Sequence, residues 1–482
     1  MPSPTPDFLR YFLGSFALAA ALAVSFHAIL RRRNPHAAAW WILVAWTLPV
    51  AGAILYGFFG INRIERKAAK RRRSHPPKIL SPNLTLANST DVNVIPFQLR
   101  HLLSICRVVE KIARKPLTRG NQISPLFNGD EAFPAMISAI DHAERSVGLS
   151  TYIFESDAVG QRFISALAGA VKRGVAVRVL IDDVGSGFQW KSIDKSLTRQ
   201  SVPVAYFMPT LVPWRMAYMN MRNHRKILTV DGRIAFSGGM NITWNHALGL
   251  RPPHPAQDVH FQIEGPVVAQ LQETFREDWH YSVGENLGGE AWFPALYENG
   301  LTLSRGIADG PDEDFEKCKL TLLGALAAAE RSIRIVTPYL IPDASLISAL
   351  NVAAMSGVKV DVVLPTHSDM AVVNWATQAI LWQLLQRGVR IWRTPGAFNH
   401  AKLMVVDGGW TFFGSSNWDA RSLRLNFEFN VEKYGSELAE RIEKYIDEQI
   451  SLAHQVTLAE VDARPLPTKL RDGIARLFSP LL

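Results

Sequence analysis

"NHRKILTVDGRIAFSGGMN", from Asn223 to Asn241, is answered by "NHAKLMVVDGGWTFFGSSN", from Asn399 to Asn417. Both segments open on Asn-His, place Lys two residues after the His, and reach Asp seven residues after it (His224 to Asp231, His400 to Asp407). Gly follows seven residues beyond the Asp (Gly238, Gly414), and Asn three beyond that (Asn241, Asn417). A single His-x-Lys-x4-Asp can arise by chance; two copies with matching extensions do not. In an extended chain residues i and i+2 face the same side, so His224 projects with Lys226, and His400 with Lys402. Asp-Gly at Asp231-Gly232 and Asp407-Gly408 signals a hairpin turn, whose returning strand brings small residues and the closing Asn back towards the His. Each Asp therefore has two readings, a turn former or buried acceptor and a proton-transfer group.

The duplication extends outward. "AERSVGLSTYIFESD", Ala143 to Asp157, matches "AERSIRIVTPYLIPD", Ala329 to Asp343. "FISALAGAVKRGVAVRVLIDD" then matches "LISALNVAAMSGVKVDVVLPT". Each copy reads as an apolar β run, a helix with Ala and Leu at helical spacing, a Gly stop and a second apolar run, Val175 to Ile181 or Val358 to Leu364. Strand–helix–strand in duplicate implies an α/β chain of two homologous halves, each with a largely parallel sheet. We set the halves at residues 98–300 and 301–455, after a Pro-rich linker at 74–97, with a tail at 456–482.

Charge separates the N-terminal region from the rest. Residues 1–73 hold eleven bases and two acids, which accounts for the whole net charge of +9 and leaves the remaining 409 residues with equal numbers of each. A nucleic-acid enzyme would carry excess positive charge on its working domain, so no nucleic-acid partner is expected. The bases flank two uncharged apolar runs, Tyr11 to Leu30 and Ala37 to Ile61, of 20 and 25 residues. Each is long enough to cross a bilayer, and the second run argues against a cleaved signal peptide. A transmembrane hairpin is expected. Seven bases from Arg63 to Arg73 follow it, against three (Arg31 to Arg33) in its loop. The positive-inside rule then puts the catalytic body on the cytoplasmic side, making this a multi-pass protein of the bacterial inner membrane. Two cysteines, Cys106 and Cys318, make no disulfide framework.

Two His, two Lys and two Asn converging from two halves suit attack on a phosphodiester, which needs a nucleophile, an acid for the leaving oxygen and positive charge around the phosphoryl oxygens. Metal-assisted transfer would want clustered carboxylates, and the shared acids sit at turns, so neither metal nor other cofactor is implied.

The paired H-x-K-x4-D motifs with trailing Gly and Asn resemble the phospholipase D superfamily. "MRNHRKI", "TPYLIPD", "LIDDVGSG" and "SNWDARSLRLNFE" resemble its bacterial cardiolipin synthases over roughly residues 10 to 482. The resemblance implies one active site shared between the halves. In it His224 is the nucleophile forming a phosphohistidine, and His400 is the acid and base. Lys226, Lys402, Asn241 and Asn417 bind phosphoryl oxygens, with Asp231 and Asp407 completing the motif. It also implies an orienting acid for each imidazole, Asp258 for His224 and Glu428 for His400, 34 and 28 residues after their His. The expected reaction is phosphatidyl transfer between two phosphatidylglycerols, giving cardiolipin and glycerol. A hydrolytic phospholipase D is the alternative, a membrane-tethered nuclease a more distant one.

Two stretches stay open. "YFMPTLVPWRMAYMNMR", Tyr206 to Arg222, is a membrane-dipping lid or a core loop. The tail sets Leu470, Ile474, Leu477, Phe478 and Leu481 at helical spacing, as an interfacial or a packing helix.

Overall fold

A computed structural model describes residues 6–31, 35–48, 50–57, 97–183, 185, 190–208, 222–311 and 315–479. The linker at 74–97, save its last residue, the basic flank and most of the 206–222 stretch lie outside the described residues. The chain forms two compact units, and the N-terminal one is described first.

Helix α1 (Pro6–Arg31) and helix α2 (Pro35–Thr47) pack on one another through Val24, Ala28 and Ala45, with Tyr56 completing the cluster. His27 and Tyr56 hydrogen-bond at 2.8 Å. Leu13–Arg31 is long and apolar enough to cross a membrane. The second expected span is shorter than its apolar run. The helix stops at Thr47, ahead of Pro49, and resumes only at Ala51–Leu55. Proline disfavours helix in the residue before it and lacks an N–H for the helical ladder, which explains the break.

Besides two short two-stranded pairings, the described residues of the second unit form a sheet of 15 strands. In chain order these are β1 (Thr118–Phe127), β2 (Ser146–Thr151), β3 (Ala176–Asp182), β4 (Val204–Phe207), β5 (Ile227–Val230), β6 (Ile234–Gly238) and β7 (Val259–Glu264). Then come β8 (Thr302–Asp309), β9 (Ser332–Val336), β10 (Lys359–Pro365), β11 (Arg390–Thr394), β12 (Leu403–Val406), β13 (Trp410–Gly414), β14 (Glu428–Tyr434) and β15 (His454–Val456). The first half is ordered β1-β7-β6-β5-β2-β3-β4 and the second β8-β14-β13-β12-β9-β10-β11, with β15 added at its edge. The halves repeat strand for strand. They join where β1 and β8 pair antiparallel, Asn121 opposite Thr302.

The expected largely parallel sheet is corrected. Only β2-β3-β4 and β9-β10-β11 run parallel in each half. The other pairings are antiparallel. The helical crossover read from the repeats makes the parallel trio, whereas the Asp-Gly turns force hairpins. Asp231 (φ 51°) and Gly232 (φ 61°) are both left-handed, as are Asp407 (φ 53°) and Gly408 (φ 63°), the conformation of a type I′ turn.

Three apolar clusters hold the layers. One lies between the halves, where Phe261 and Phe413 stack with centroids 3.7 Å apart, and the other two lie one in each half. Residues 97–113, which contain helix α3 (Leu103–Ala113), bury Leu102, Ile105 and Val109 in the second half's cluster. The expected boundary at 98 therefore shifts, and the first half's own packing begins at β1. Arg305 and Glu432, both fully buried, pair at 2.6 Å, and Arg305 also donates to the Cys106 carbonyl. This ion pair ties helix α3 to the second half.

Candidate active site

His224 and His400 sit just before β5 and β12, beyond the carboxyl ends of β2 and β9, the edge where open α/β sheets place their ligands. Neither His nor Lys lies within a strand as expected. Each precedes one, and Lys226 and Lys402 turn back to donate to the carbonyls of His224 (2.8 Å) and His400 (2.5 Å).

The halves exchange backbone segments here. The His224 N–H donates to the Phe427 carbonyl at 2.9 Å, and the Phe427 N–H to the Arg222 carbonyl at 2.7 Å. Reciprocally, Phe398–Asn399 pairs with Ala256–Gln257, and the His400 N–H donates to the Gln257 carbonyl at 2.7 Å. The acids follow directly. Glu428 comes after Phe427 and meets His224 Nδ1 at 3.1 Å; Asp258 comes after Gln257 and meets His400 Nδ1 at 2.9 Å. Each expected orienting acid is present, but the pairing is corrected: the acid of each half serves the histidine of the other. Nδ1 of each imidazole is held by a carboxylate, which leaves Nε2 for chemistry.

Small residues on the returning strands make room. A Cβ at Gly239 would lie 2.5 Å from Asp258 Oδ2, so only glycine fits there. Its counterpart Ser415 contributes its carbonyl to His224 Nδ1 at 3.2 Å. Asn241 Oδ1 accepts from the Ile153 N–H at 3.3 Å. Asn417 Oδ1 is buried without a hydrogen-bond partner among the described residues.

Burial dominates the electrostatics. It pulls Lys226 down to about 7, with Glu428 opposing and Lys402 reinforcing the shift, and it pulls Lys402 down to about 8, opposed by Asp258 and Glu428. His400 is pushed well below its usual value by burial, then by Lys402, Lys226 and His224. His224 is lowered by burial, partly offset by Glu428. That each lysine acts on the other half's histidine marks one convergent cluster. The acids differ. Burial raises Asp258, whereas for Glu428 the His224, Lys226 and Ser415 interactions outweigh burial and hold it below the usual range.

Asp231 and Asp407 stand at the far ends of their hairpins. Asp231 accepts backbone N–H groups of Glu144, Arg145 and Ser146. Asp407 accepts those of Glu330, Arg331 and Ser332, and His101 Nε2 at 2.7 Å. Seven residues of extended chain separate each from its His, up to roughly 23 Å. Of the two readings of each Asp, these contacts fit the turn former and buried acceptor: they anchor the start of β2 and β9.

Several neighbours escaped the sequence reading. The Tyr152 ring lies 5.0 Å from that of His224, with Lys226 Nζ 5.3 Å from its centroid. Arg225 bonds Asp278 and the Glu428 carbonyl, fastening one half's motif to the other half's strand. Asn426 supports Glu428 Oε1 at 3.2 Å. His246, Asp258 and His400 bring ligand atoms within 4.8 Å of one another, a group among the described residues able to hold a metal ion. There His400 Nδ1 is already engaged by Asp258 and His246 Nδ1 lies 3.2 Å from the Ala256 carbonyl, so a cation would compete with the imidazole–carboxylate pair. Tyr152, Arg225 and Asn426 lie within the repeated or family-like stretches, whereas His246 and Asp278 carried no signal in the sequence.

A half-buried and a buried histidine, His224 and His400, each held by a carboxylate, with two buried lysines between homologous halves, define a phosphodiester-transferring enzyme of the phospholipase D type. Residues 136–279 and 322–450 match the family described as "Cardiolipin synthase, PLD-like domain", and residues 19–60 match "Phospholipase_D-nuclease N-terminal". The chain is 31% identical to a cardiolipin synthase of Geobacillus kaustophilus, over 98% of this chain and 94% of that protein. It is 32% identical to the major cardiolipin synthase ClsA of Bacillus subtilis (94% and 95%), and 31% identical to cardiolipin synthase A of Pseudomonas putida (99% of each). A solved phosphatidylserine synthase of Haemophilus influenzae shares the fold, with a TM-score of 0.62, 14% identity, and coverage of 78% of this chain and all of that one. The chain belongs to the cardiolipin synthase family, phosphatidyltransferases of the phospholipase D type.

Proposed function

We infer that this protein is a cardiolipin synthase that joins two phosphatidylglycerols through a phosphohistidine, and the observation that carries the mechanism is the crossed histidine–carboxylate pairing. His224 Nε2 attacks phosphorus, the bond to the leaving glycerol oxygen breaks, and His400 donates the proton that glycerol takes away. His400 then removes a proton from the glycerol hydroxyl of the second phosphatidylglycerol. That oxygen attacks phosphorus, the P–N bond breaks, and cardiolipin leaves. Lys226, Lys402, Asn241 and Asn417 hold the phosphoryl oxygens.

Electrostatic differences between the halves support this order. A phosphorylated imidazole that keeps its Nδ1–H is cationic, and Glu428, held ionised, is suited to stabilise it. An imidazole held below its usual pKa is the stronger acid, which suits His400 to the leaving group. Burial and then the lysine charges keep His400 neutral, and the substrate's anionic phosphodiester offsets those charges.

The two apolar runs, Tyr11 to Leu30 and Ala37 to Ile61, form the membrane anchor in this reading, as a hairpin with the catalytic body on the cytoplasmic side. The Lys/Arg distribution supports that orientation. Held at the bilayer, the site meets a high local concentration of lipid hydroxyls, which favours transfer over hydrolysis. Purified protein added to phosphatidylglycerol vesicles should release cardiolipin and glycerol in about equal amounts. Phosphatidic acid as the main product would instead make it a hydrolase.

A further inference from the structure

The C-terminal helix Leu466–Leu477 packs the wrong way round for a soluble surface helix. Its protein-facing side carries Ala475 and Asp472, the latter fully buried and bonded by Arg464 and Arg471, each at 2.7 Å. Its opposite side presents Leu466 (78% exposed), Leu470, Ile474, Leu477 (78%) and, just past its end, Phe478 to solvent. At 100° per residue these five side chains fall within one stripe about 120° wide, with Lys469 and Arg471 on its two margins. A helix that docks through an ion-paired aspartate and leaves its apolar stripe outside has that stripe reserved for another phase. Both charges at the margins are positive, and the helix's one acid, Asp472, is neutralised inside.

The helix is linked to the site through a relay of contacts on its protein-facing side. It packs on the helix Ala371–Gln378 through Ala475, Val373 and Ala376, and Arg471 lies 4.6 Å from the Trp375 ring centroid. That second helix starts two residues after Asp369, which accepts from the Tyr339 hydroxyl at 2.5 Å. The Tyr339 ring neighbours Phe398 (6.1 Å), and Phe398 neighbours His400 (5.7 Å). We propose that the C-terminal helix is an interfacial membrane helix, which lays its leucine stripe into the surface of an anionic phospholipid bilayer and holds the second half's side of the active site against the lipid it uses. The proposal rests on the lipid-substrate reading. Apolar burial supplies non-specific adhesion, and the marginal bases supply preference for anionic headgroups.

The test uses the full-length protein reconstituted in vesicles of phosphatidylglycerol and phosphatidylcholine, with Ile474→Cys labelled by an environment-sensitive fluorophore under native conditions. Both native cysteines are buried and spared. Blue-shifted emission, quenched by brominated acyl chains and not by aqueous iodide, supports the proposal. Emission quenched by iodide means the stripe faces water and overturns it. Emission shielded from both quenchers means that a second copy or another segment of this chain covers the stripe, and overturns it too. Leu470→Glu with Ile474→Glu should raise the vesicle concentration giving half-maximal rate at least tenfold, with kcat within about twofold; a loss confined to kcat contradicts docking. The fluorescence readout does not depend on turnover, so it stands whether the product is cardiolipin or phosphatidic acid.

Discussion

His224 takes its carboxylate from Glu428, 204 residues further along the chain, while His400 takes its own from Asp258, 142 residues back. Neither motif histidine takes its carboxylate from its own half, so the two halves are obligatory partners in one site. Glu428→Gln and Asp258→Asn should each lower kcat roughly 10²- to 10⁴-fold while the fold persists. Combining Glu428→Gln with His224→Ala should add little to the loss from His224→Ala alone, because both changes disable the same step. Full additivity in that double variant, measured as lipid transfer per folded protein, would break the crossed pairing.

The pH profile follows from the buried lysines and histidines. Lys226 and Lys402, at about 7 and 8 in the free enzyme, must be protonated to stabilise the phosphoryl oxygens, so kcat/KM should fall as pH rises through that range. His224 must be neutral to attack and is lowered by burial, which places the acid limb below the ordinary 6.5; His400, lowered too, must regain its proton when the anionic substrate binds. Lys226→Arg keeps its charge at all these pH values and should move the alkaline limb upward. An unmoved limb would assign it to another group.

The same shift has a stability consequence of definite sign. Unfolded, Lys226 holds its proton up to about 10.5, whereas folded it releases it near 7, so below pH 7 the native state carries the full cost of a buried ammonium. That cost fades as pH approaches 10.5. Lys226→Met should therefore stabilise the ligand-free protein at pH 6.5, by at least about 1 kcal/mol, and the gap should close at alkaline pH. Thermal unfolding at both pH values checks it, and a variant less stable than the parent at pH 6.5 would contradict it.

Asp231→Asn and Asp407→Asn should cost stability, about 1.5–3 kcal/mol each for hydrogen bonds to a charged acceptor. The turnover of the folded fraction should stay within a few-fold of the parent. Asp407 is held below the usual carboxylate range because the Glu330, Ser332 and Arg331 N–H groups and His101 outweigh burial, so its contribution is lost as pH falls through that lowered value. A thousandfold kcat loss with unchanged stability would return both residues to the chemistry.

Arg305→Leu should destabilise by about 3–5 kcal/mol, because it strands a fully buried Glu432. Arg305→Leu with Glu432→Leu should recover much of that loss, as read by denaturant unfolding.

The duplicated motifs made the two-half architecture legible, and with it the motif residues His224, Lys226, Asn241, His400, Lys402 and Asn417, but not His246 or Asn426. The crossing was not legible, since spacing along the chain ties Asp258 to His224, and only the exchange of segments 222–224 and 398–400 brings it to His400. Asp258 lies against Gly239 of its own half, but its carboxylate reaches past it to His400. The helical crossovers dominate the pattern, while the Asp-Gly turns announced only two of the antiparallel pairings, β5 with β6 and β12 with β13. In the C-terminal tail, periodicity revealed the apolar stripe but could not say which way it faced. Asp472, which the periodicity did not single out, is the residue that turns it outward.

The most direct test of the shared phosphohistidine is to quench the enzyme under alkaline conditions during turnover of phosphatidylglycerol labelled at phosphorus, and to map the bound label. Label should sit on the peptide carrying His224 in the parent and in His400→Ala, and be absent from His224→Ala. Label on the His400 peptide, or turnover by His224→Ala at the parent rate, would contradict the mechanism.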